Sequence, residues 1–320
     1  MRTLELNAGG ESLRLSRLVF GTGSVGSSIP PQESAALLDL YRAMGGNCID
    51  TARMYGNGAS EETIGRYLAL RSCRATVAIS TKGGFPPKND MHHSRIRPDA
   101  LKSDLESSLR ALGTEYVDLY FLHRDDPGYP VEELMPFLNG LVRDGKVRFL
   151  GASNWTAARI AEANRFAVSN GLTPFAISQI QWSLAAATPA MWEDDTIVCM
   201  NDAESAFYRQ AHMPVMAFTP LTRGFFSKAI AEGIDSPALE TYAAFKTPLN
   251  LARAERVHAL CDRYNATPTQ ICHAYLTSGS PDGLAVLGAK KRAHLEDSLA
   301  GADLTLTAQD LEFLCASDAR

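Results

Sequence analysis

Eight short runs of β-branched and aromatic residues recur along this chain, each closing on small or polar residues and each followed by a helix-like stretch. They are RLVFGT (17–22), NCID (47–50), TVAIST (76–81), YVDLYFLH (116–123), VRFLGAS (147–153), AISQIQW (176–182), PVMAFTP (214–220) and LAVLG (284–288). Between them lie amphipathic segments such as PQESAALLDLYRAMG (31–45), RPDALKSDLESSLRALG (97–113) and NWTAARIAEANRFAVSNG (154–171). Strands that alternate with helices run parallel, because each return to the sheet needs a crossover. Eight such units in 320 residues fit the count and size of a (β/α)8 TIM barrel, here expected to span residues 1–320 as one domain of the α/β class. The rival is a doubly wound open sheet, which should carry GxGxxG between its first strand and first helix. GTGSVGS (21–27) offers Gly21, Gly23 and Gly26, but only Asp50 is placed to hold a ribose, and Asp50 has better company. The barrel is preferred.

The flanks add to this plan. The residues around Gly9-Gly10 read as an N-terminal β-hairpin, and KKRAHLEDSLAG (290–301) and TAQDLEFLCAS (307–317) as C-terminal helices. Segments 83–97, 183–201 and 222–247 are longer than ordinary connections and follow the third, sixth and seventh strands, on the face where barrel active sites sit. Composition narrows the function. With 31 basic against 36 acidic residues, the net charge of −5 provides no global attraction to nucleic acid or anionic membrane. Cysteines 48, 73, 199, 261, 272 and 315 are scattered without CxxC spacing, as expected for reduced thiols in the cytoplasm. No signal-peptide pattern opens the chain, and no apolar run reaches the ~18 residues of a membrane span. A soluble cytoplasmic protein with a small-molecule partner is expected.

Four polar residues stand at or just after strand ends: Asp50, Tyr55, Lys82 and His123. Singly, each has an ordinary role as a cap, a packed ring or a solvated charge. Together they form a proton-transfer set at one barrel mouth. An ammonium beside a phenol favours the phenolate, a carboxylate keeps the ammonium placed, and an imidazole can donate to a substrate oxygen. His92-His93 has no Cys, His or carboxylate at ligand spacing, so a metal-dependent hydrolase on the same barrel is poorly supported. Trp155, Trp182 and Trp192 could line a pocket, with a core role favoured for Trp182.

The stretch IDTARMYGNGASEETIG resembles the signature of the aldo-keto reductase superfamily, an Asp followed five residues on by a Tyr, then a closing Glu-x-x-x-Gly. GASNW (151–155), SQIQW (178–182), AFTPLTRGF (217–225) and LGAKKRAHLEDS (287–298) are similar to its further motifs, in family order. The resemblance implies an NAD(P)H-dependent oxidoreductase whose catalytic tetrad is Asp50, Tyr55, Lys82 and His123. It implies cofactor contacts from Gly21, Thr22, Gly23 and Asp50. Ser153, Asn154 and Gln179 would meet the carboxamide, and Phe218 the nicotinamide ring. Thr219, Pro220, Leu221 and Arg223 would meet the pyrophosphate, and Gly288, Lys290, His294, Asp297 and Ser298 the adenosine end. Phe218 lacks the polar handle of the usual Tyr or Trp, Thr222 replaces a small residue, and Ser298 stands where Asn is frequent.

If 290 onward is helical, Lys290, His294, Asp297 and Ser298 share one stripe. Lys290 would then open a helix N-terminus that favours an anion. With His294 it would suit a 2′-phosphate, and hence NADPH over NADH. The expected reaction is reduction of an aldehyde or ketone to an alcohol, or its reverse, with hydride from nicotinamide C4 and a proton from Tyr55. A nucleotide-bound regulatory protein of the same fold is the alternative. Lys88, Asn89, Asp90, His92, His93 and Arg95 after strand three, and Trp192, Glu193, Asp194 and Asp195 after strand six, suggest a carbohydrate-like substrate.

Overall fold

A computed structural model describes residues 1–316. All eight runs form strands: β3 (Leu18–Gly21), β4 (Cys48–Asp50), β5 (Ala78–Gly83), β6 (Val117–Leu122), β7 (Val147–Ser153), β8 (Phe175–Gln179), β9 (Val215–Ala217) and β10 (Gly283–Leu287). They are parallel and pair in chain order, and β10 closes the cylinder by pairing with both β9 and β3. β9 is only three residues long, since Pro214 and Pro220 bracket its run and lack the N–H that a ladder needs.

Helices α1 (Pro31–Ala43), α2 (Ala59–Arg71), α3 (Pro98–Leu112), α4 (Val131–Arg143), α5 (Ala157–Ser169) and α6 (Asp202–Gln210) return the chain between strands. α3 shows why. Leu101, Leu105, Ser108 and Leu112 are its buried residues, at the spacing that puts one stripe on the barrel. Pro98 starts it and a left-handed Gly113 ends it. After these come α7 (Phe225–Glu232), α8 (Pro248–Tyr264), α9 (Pro268–Ser278), α10 (Arg292–Ala300) and α11 (Ala308–Cys315).

Strands β1 (Thr3–Ala8) and β2 (Glu11–Ser16) form the expected antiparallel hairpin. Its turn puts Gly9 and Gly10 at φ 61° and 83°, the double positive φ of a tight hairpin turn. Leu4, Leu6 and Leu15 are buried in one cluster with Val19, Phe121, Phe149 and Ile177, and Arg148 near the start of β7 bonds Glu11 Oε2 at 3.0 Å. The hairpin therefore plugs the end where the strands begin, and the other mouth stays open.

Two expectations need correction. Segment 222–247 is not a plain loop: it holds α7 and a 3-10 stretch at Pro237–Phe245, and Phe225, Phe226, Leu239 and Phe245 bury themselves against α8 and α9. The helix expected from residue 290 begins at Arg292, with Lys291 as a cap that supplies no side-chain acceptor. Lys290 thus precedes the helix and does not share a helical stripe with His294. The expected end of the last helix at Ser317 lies outside the described residues. No helix among the described residues is long and apolar enough to cross a membrane.

Candidate active site

The open mouth gathers the strand ends. Asp50 closes β4 and Lys82 lies one residue from the end of β5, side by side in the barrel wall. Lys82 Nζ donates to Asp50 Oδ2 at 2.6 Å and to the Thr51 carbonyl at 2.9 Å, and it reaches the Tyr55 hydroxyl at 3.4 Å. The ammonium thus meets three acceptors, which is all its protons allow. Burial works against this charge, but Asp50 and Tyr55 outweigh it and hold Lys82 above its ordinary pKa. Ser80 Oγ and Gln179 Nε2 both donate to Asp50 Oδ1, at 2.8 and 3.0 Å, so the carboxylate is held from both sides.

Tyr55 sits on a short 3-10 turn between β4 and α2. Its ring lies edge-on to the His123 imidazole, with centroids 6.0 Å apart. His123 follows β6 and donates its backbone N–H to the Gly83 carbonyl. Burial, then the charges of Lys82 and Arg124, push its pKa well below the ordinary histidine range. The ring is therefore neutral at physiological pH, and its Nδ1 has no partner among the described residues. Phe85 packs on it at 4.7 Å. Arg124, the next residue, lies 5.1 Å from the Phe85 ring centre and donates to Thr196, Asp194 and the His123 carbonyl.

From this floor a cavity of about 1130 Å³ extends across the mouth to α9 and α10. That exceeds a common small-ligand pocket of roughly 300–1,000 Å³. Its walls include Tyr55, Asp50 and His123, and also Gly21, Thr22, Gly23, Ser153, Asn154, Gln179, Phe218, Thr219, Pro220, Leu221, Arg223, Gly288, Lys290, His294, Asp297 and Ser298. Lys82 lies behind Tyr55 and Asp50, outside this lining. Gly21 pairs with Asp50 across β3 and β4, and a Cβ on it would meet the Leu287 carbonyl at 2.7 Å. Asn154 is left-handed at φ 57°, and its side chain is braced by contacts to Ser153 Oγ, the His123 carbonyl and the Val198 N–H. Thr219, Thr222, Arg223 and Gly224 also have positive φ, a concentration of costly backbone that typifies binding loops. Thr222 is fully buried and turns its hydroxyl to Ser183 at 2.9 Å, away from the cavity.

A cavity that runs from Asp50 and Tyr55 to α10, with the cations Arg223 and Lys290 on its walls, suits an elongated, phosphate-bearing ligand. Other sequence candidates are elsewhere. Lys88, Asn89, Asp90, His92, His93, Arg95, Glu193, Asp194 and Asp195 are absent from the lining. His92 faces Asp195 at the surface, Arg95 bonds Asp104, and Asp194 neutralises Arg124. Trp155 is wholly buried and donates to the Arg124 carbonyl, Trp182 is core, and Trp192 packs on Phe245 and Arg223.

Sequence reasoning missed Ser24, Met54, Phe85, Arg124, Thr269 and His273, all on the cavity wall. Adjacency to His123 was a readable signal for Arg124. His273 sits inside the apolar run ICHAYL and gave none.

Residues 17–318 match the Aldo/keto reductase family. The chain is 31% identical over 318 residues to an aryl-alcohol dehydrogenase of Pestalotiopsis microspora, covering 94% of this chain and 78% of that protein. It is 31% identical over 323 residues to norsolorinic acid reductase of Aspergillus flavus, covering 97% and 79%. The crystal structure of the thermostable aldo-keto reductase Tm1743 with the inhibitor epalrestat superposes with a TM-score of 0.75 at 26% identity, covering 98% of this chain and 99% of the other.

Proposed function

This chain belongs to the aldo/keto reductase family, and from that premise we propose that Tyr55 delivers the proton in a carbonyl reduction organised by Lys82, Asp50 and His123. The protein is an enzyme, an oxidoreductase of carbonyl and alcohol groups that uses NADPH. In the proposed arrangement Ser153, Asn154, Gln179 and Phe218 hold the nicotinamide end. The loop Thr219–Arg223 takes the pyrophosphate, and Lys290 with His294 takes the 2′-phosphate. When bound, the reduced nicotinamide supplies a hydride to the carbonyl carbon.

The chain's own residues handle the proton and the developing charge. Tyr55 gives its hydroxyl proton to the carbonyl oxygen, and the resulting phenolate lies 3.4 Å from the Lys82 ammonium. Asp50, held by Ser80 and Gln179, keeps that ammonium charged and in place. Neutral His123 donates a hydrogen bond to the same oxygen and stabilises it as charge develops. One observation carries this reading: a buried lysine bridges a fixed carboxylate and a phenol that opens onto the cavity.

The wall beside Tyr55 and His123 supports one substrate class over another. Met54 and Phe85 flank Tyr55 and His123 there, while the polar loop residues named above bond one another or lie off the lining. Aromatic or apolar carbonyls fit this better than a polyol, and a relative named for aryl alcohols points the same way. Steady-state assays with NADPH on aryl aldehydes and on aldoses test both parts. Aryl aldehydes should lead by about a hundredfold in kcat/KM, equivalent to about 2.7 kcal/mol of transition-state discrimination. Preference for aldoses would restore the carbohydrate reading. Tyr55→Phe should abolish turnover with NADPH affinity intact, and normal activity in that variant would remove Tyr55 from the mechanism.

A further inference from the structure

His123 makes no hydrogen bond through Nδ1 among the described residues, although that atom is buried. In a working histidine the bond made by one ring nitrogen commonly fixes the other. Here the ring has to be oriented by what packs on it. Two rings meet it, Tyr55 at 6.0 Å and Phe85 at 4.7 Å between centroids. Tyr55 is the proton donor of the reading above, so Phe85 is the neighbour left to act as a support. Phe85 stands two residues after β5 and is only half-buried, so its own ring needs holding.

Arg124 supplies the hold. Its guanidinium lies 5.1 Å from the Phe85 ring centre, and Nη1 donates to the His123 carbonyl at 2.9 Å. One side chain therefore touches both the ring that supports His123 and the backbone of His123. The guanidinium is fixed in turn from the segment after β8: Nε donates to Thr196 Oγ1 at 2.8 Å and Nη2 to Asp194 Oδ2 at 3.0 Å. Asp194 is itself tied, because its Oδ1 accepts from the Thr196 N–H at 3.0 Å. Three donors of one planar fork, aimed at three different partners, fix its plane in a way that an ammonium would not. Arg124 lines the cavity and Asp194 does not, so Asp194 reaches the reaction only through Arg124. We infer that Arg124, held by Asp194, is a positioning residue that orients the His123 imidazole through Phe85. This rests on the reading in which His123 donates to the substrate oxygen.

A set of double-mutant cycles tests it, read as the single-turnover rate of NADPH oxidation on a carbonyl substrate that the wild type reduces. Asp194→Asn and Arg124→Lys are measured alone, with His123→Ala and with Phe85→Leu. Lysine keeps a charge beside His123, so what it removes is the fork. Each of the two, and Phe85→Leu, should lower the rate by about ten- to a hundredfold, the cost of a misplaced group, with the NADPH dissociation constant unchanged. His123→Ala should lower it by about 10²–10³-fold. In that background Asp194→Asn and Arg124→Lys should change the rate by no more than about twofold, because no imidazole is left to orient. They should add as little to Phe85→Leu. A merely structural role would instead give losses that multiply in every background. Multiplying losses, or single variants with the wild-type rate, would overturn the inference. Full activity in His123→Ala would remove His123 from the mechanism and take the inference with it. The unmodified protein gives an independent reading in case the variants misfold. Carbon-13 relaxation of the His123 ring should give an order parameter of about 0.85, as for rigid backbone, and a value below about 0.6 would show the ring unheld and overturn the inference.

Discussion

Lys82 makes contacts with Asp50, Thr51 and Tyr55 that no other side chain could replace together. Methionine keeps its length and apolar stem but removes the charge. Lys82→Met should therefore lower kcat by about 10²–10⁴-fold, the range of a lost acid–base contribution. It also leaves Asp50 buried without its cation, so folding and NADPH binding should be measured beside turnover. Intact folding and binding with normal kcat would show that the phenolate needs no ammonium. Lys290 tests the opposite end of the cavity. A charge-assisted hydrogen bond contributes about 1.5–3 kcal/mol, so Lys290→Ala should weaken NADPH by about tenfold or more and leave NADH alone. Equal weakening of both cofactors would place Lys290 on a group they share. That Asp50, Tyr55, Lys82 and His123 meet was legible in the sequence, because each closes or follows a hydrophobic run and a barrel brings strand ends together wherever they fall in the chain. His273 was not, since the direction an apolar-run histidine faces is decided by how α9 packs.

At the level of elements, α9 and α10 are joined through one cap. Thr267 Oγ1 accepts from the Gln270 N–H while Gln270 Oε1 accepts from the Thr267 N–H, a reciprocal capping box. Both side chains also reach Asp297 on α10. Thr267→Ala should cost about 1 kcal/mol of stability, or roughly 2 °C in Tm for a chain of this size. It should also weaken NADPH modestly, because Asp297 loses one brace, and Thr267→Ser should restore both. A melting temperature unchanged in the alanine variant would mean that the box is frayed in solution. The same region shows what the sequence conveyed and what it did not. The spacing of His294, Asp297 and Ser298 was readable as one helical face, and those residues do share α10. Its start was not readable, since no Ser, Thr, Asp or Asn caps it, and the basic run Lys290-Lys291-Arg292 is unfavourable at the positive end of a helix dipole. The strands were far easier. Burial on both faces writes them as continuous apolar runs, and only their ends moved by a residue or a few.

Across the whole molecule, buried ionisable groups lie at both ends of the barrel: Asp118 pairs with Arg74 and Arg148 at the hairpin-sealed end, and Asp50, Lys82 and His123 lie at the open mouth. His123 and His273 are both kept neutral there by burial. Near them Asp125 is raised to about 6, by burial that Arg159 only partly offsets, and burial also raises Glu204. These pairs act on stability with opposite signs. A histidine whose folded pKa is depressed takes up its proton first in the unfolded chain, so stability is full above about pH 6.5 and falls as pH drops below it. A carboxyl whose folded pKa is raised takes up its proton first in the folded chain, so falling pH stabilises the fold until the unfolded pKa is passed. The net curve is therefore blunted, and the histidine contribution is best isolated by difference. For His273 the folded value of about 4 sets the lower edge of the window. Between about pH 7 and pH 5 the wild type should lose about 2 kcal/mol more than His273→Leu, with a slope approaching 1.4 kcal/mol per pH unit. Urea unfolding of both proteins without cofactor, at the two pH values, measures that difference directly. Parallel curves would mean that the His273 ring titrates freely in the folded protein, in contact with water.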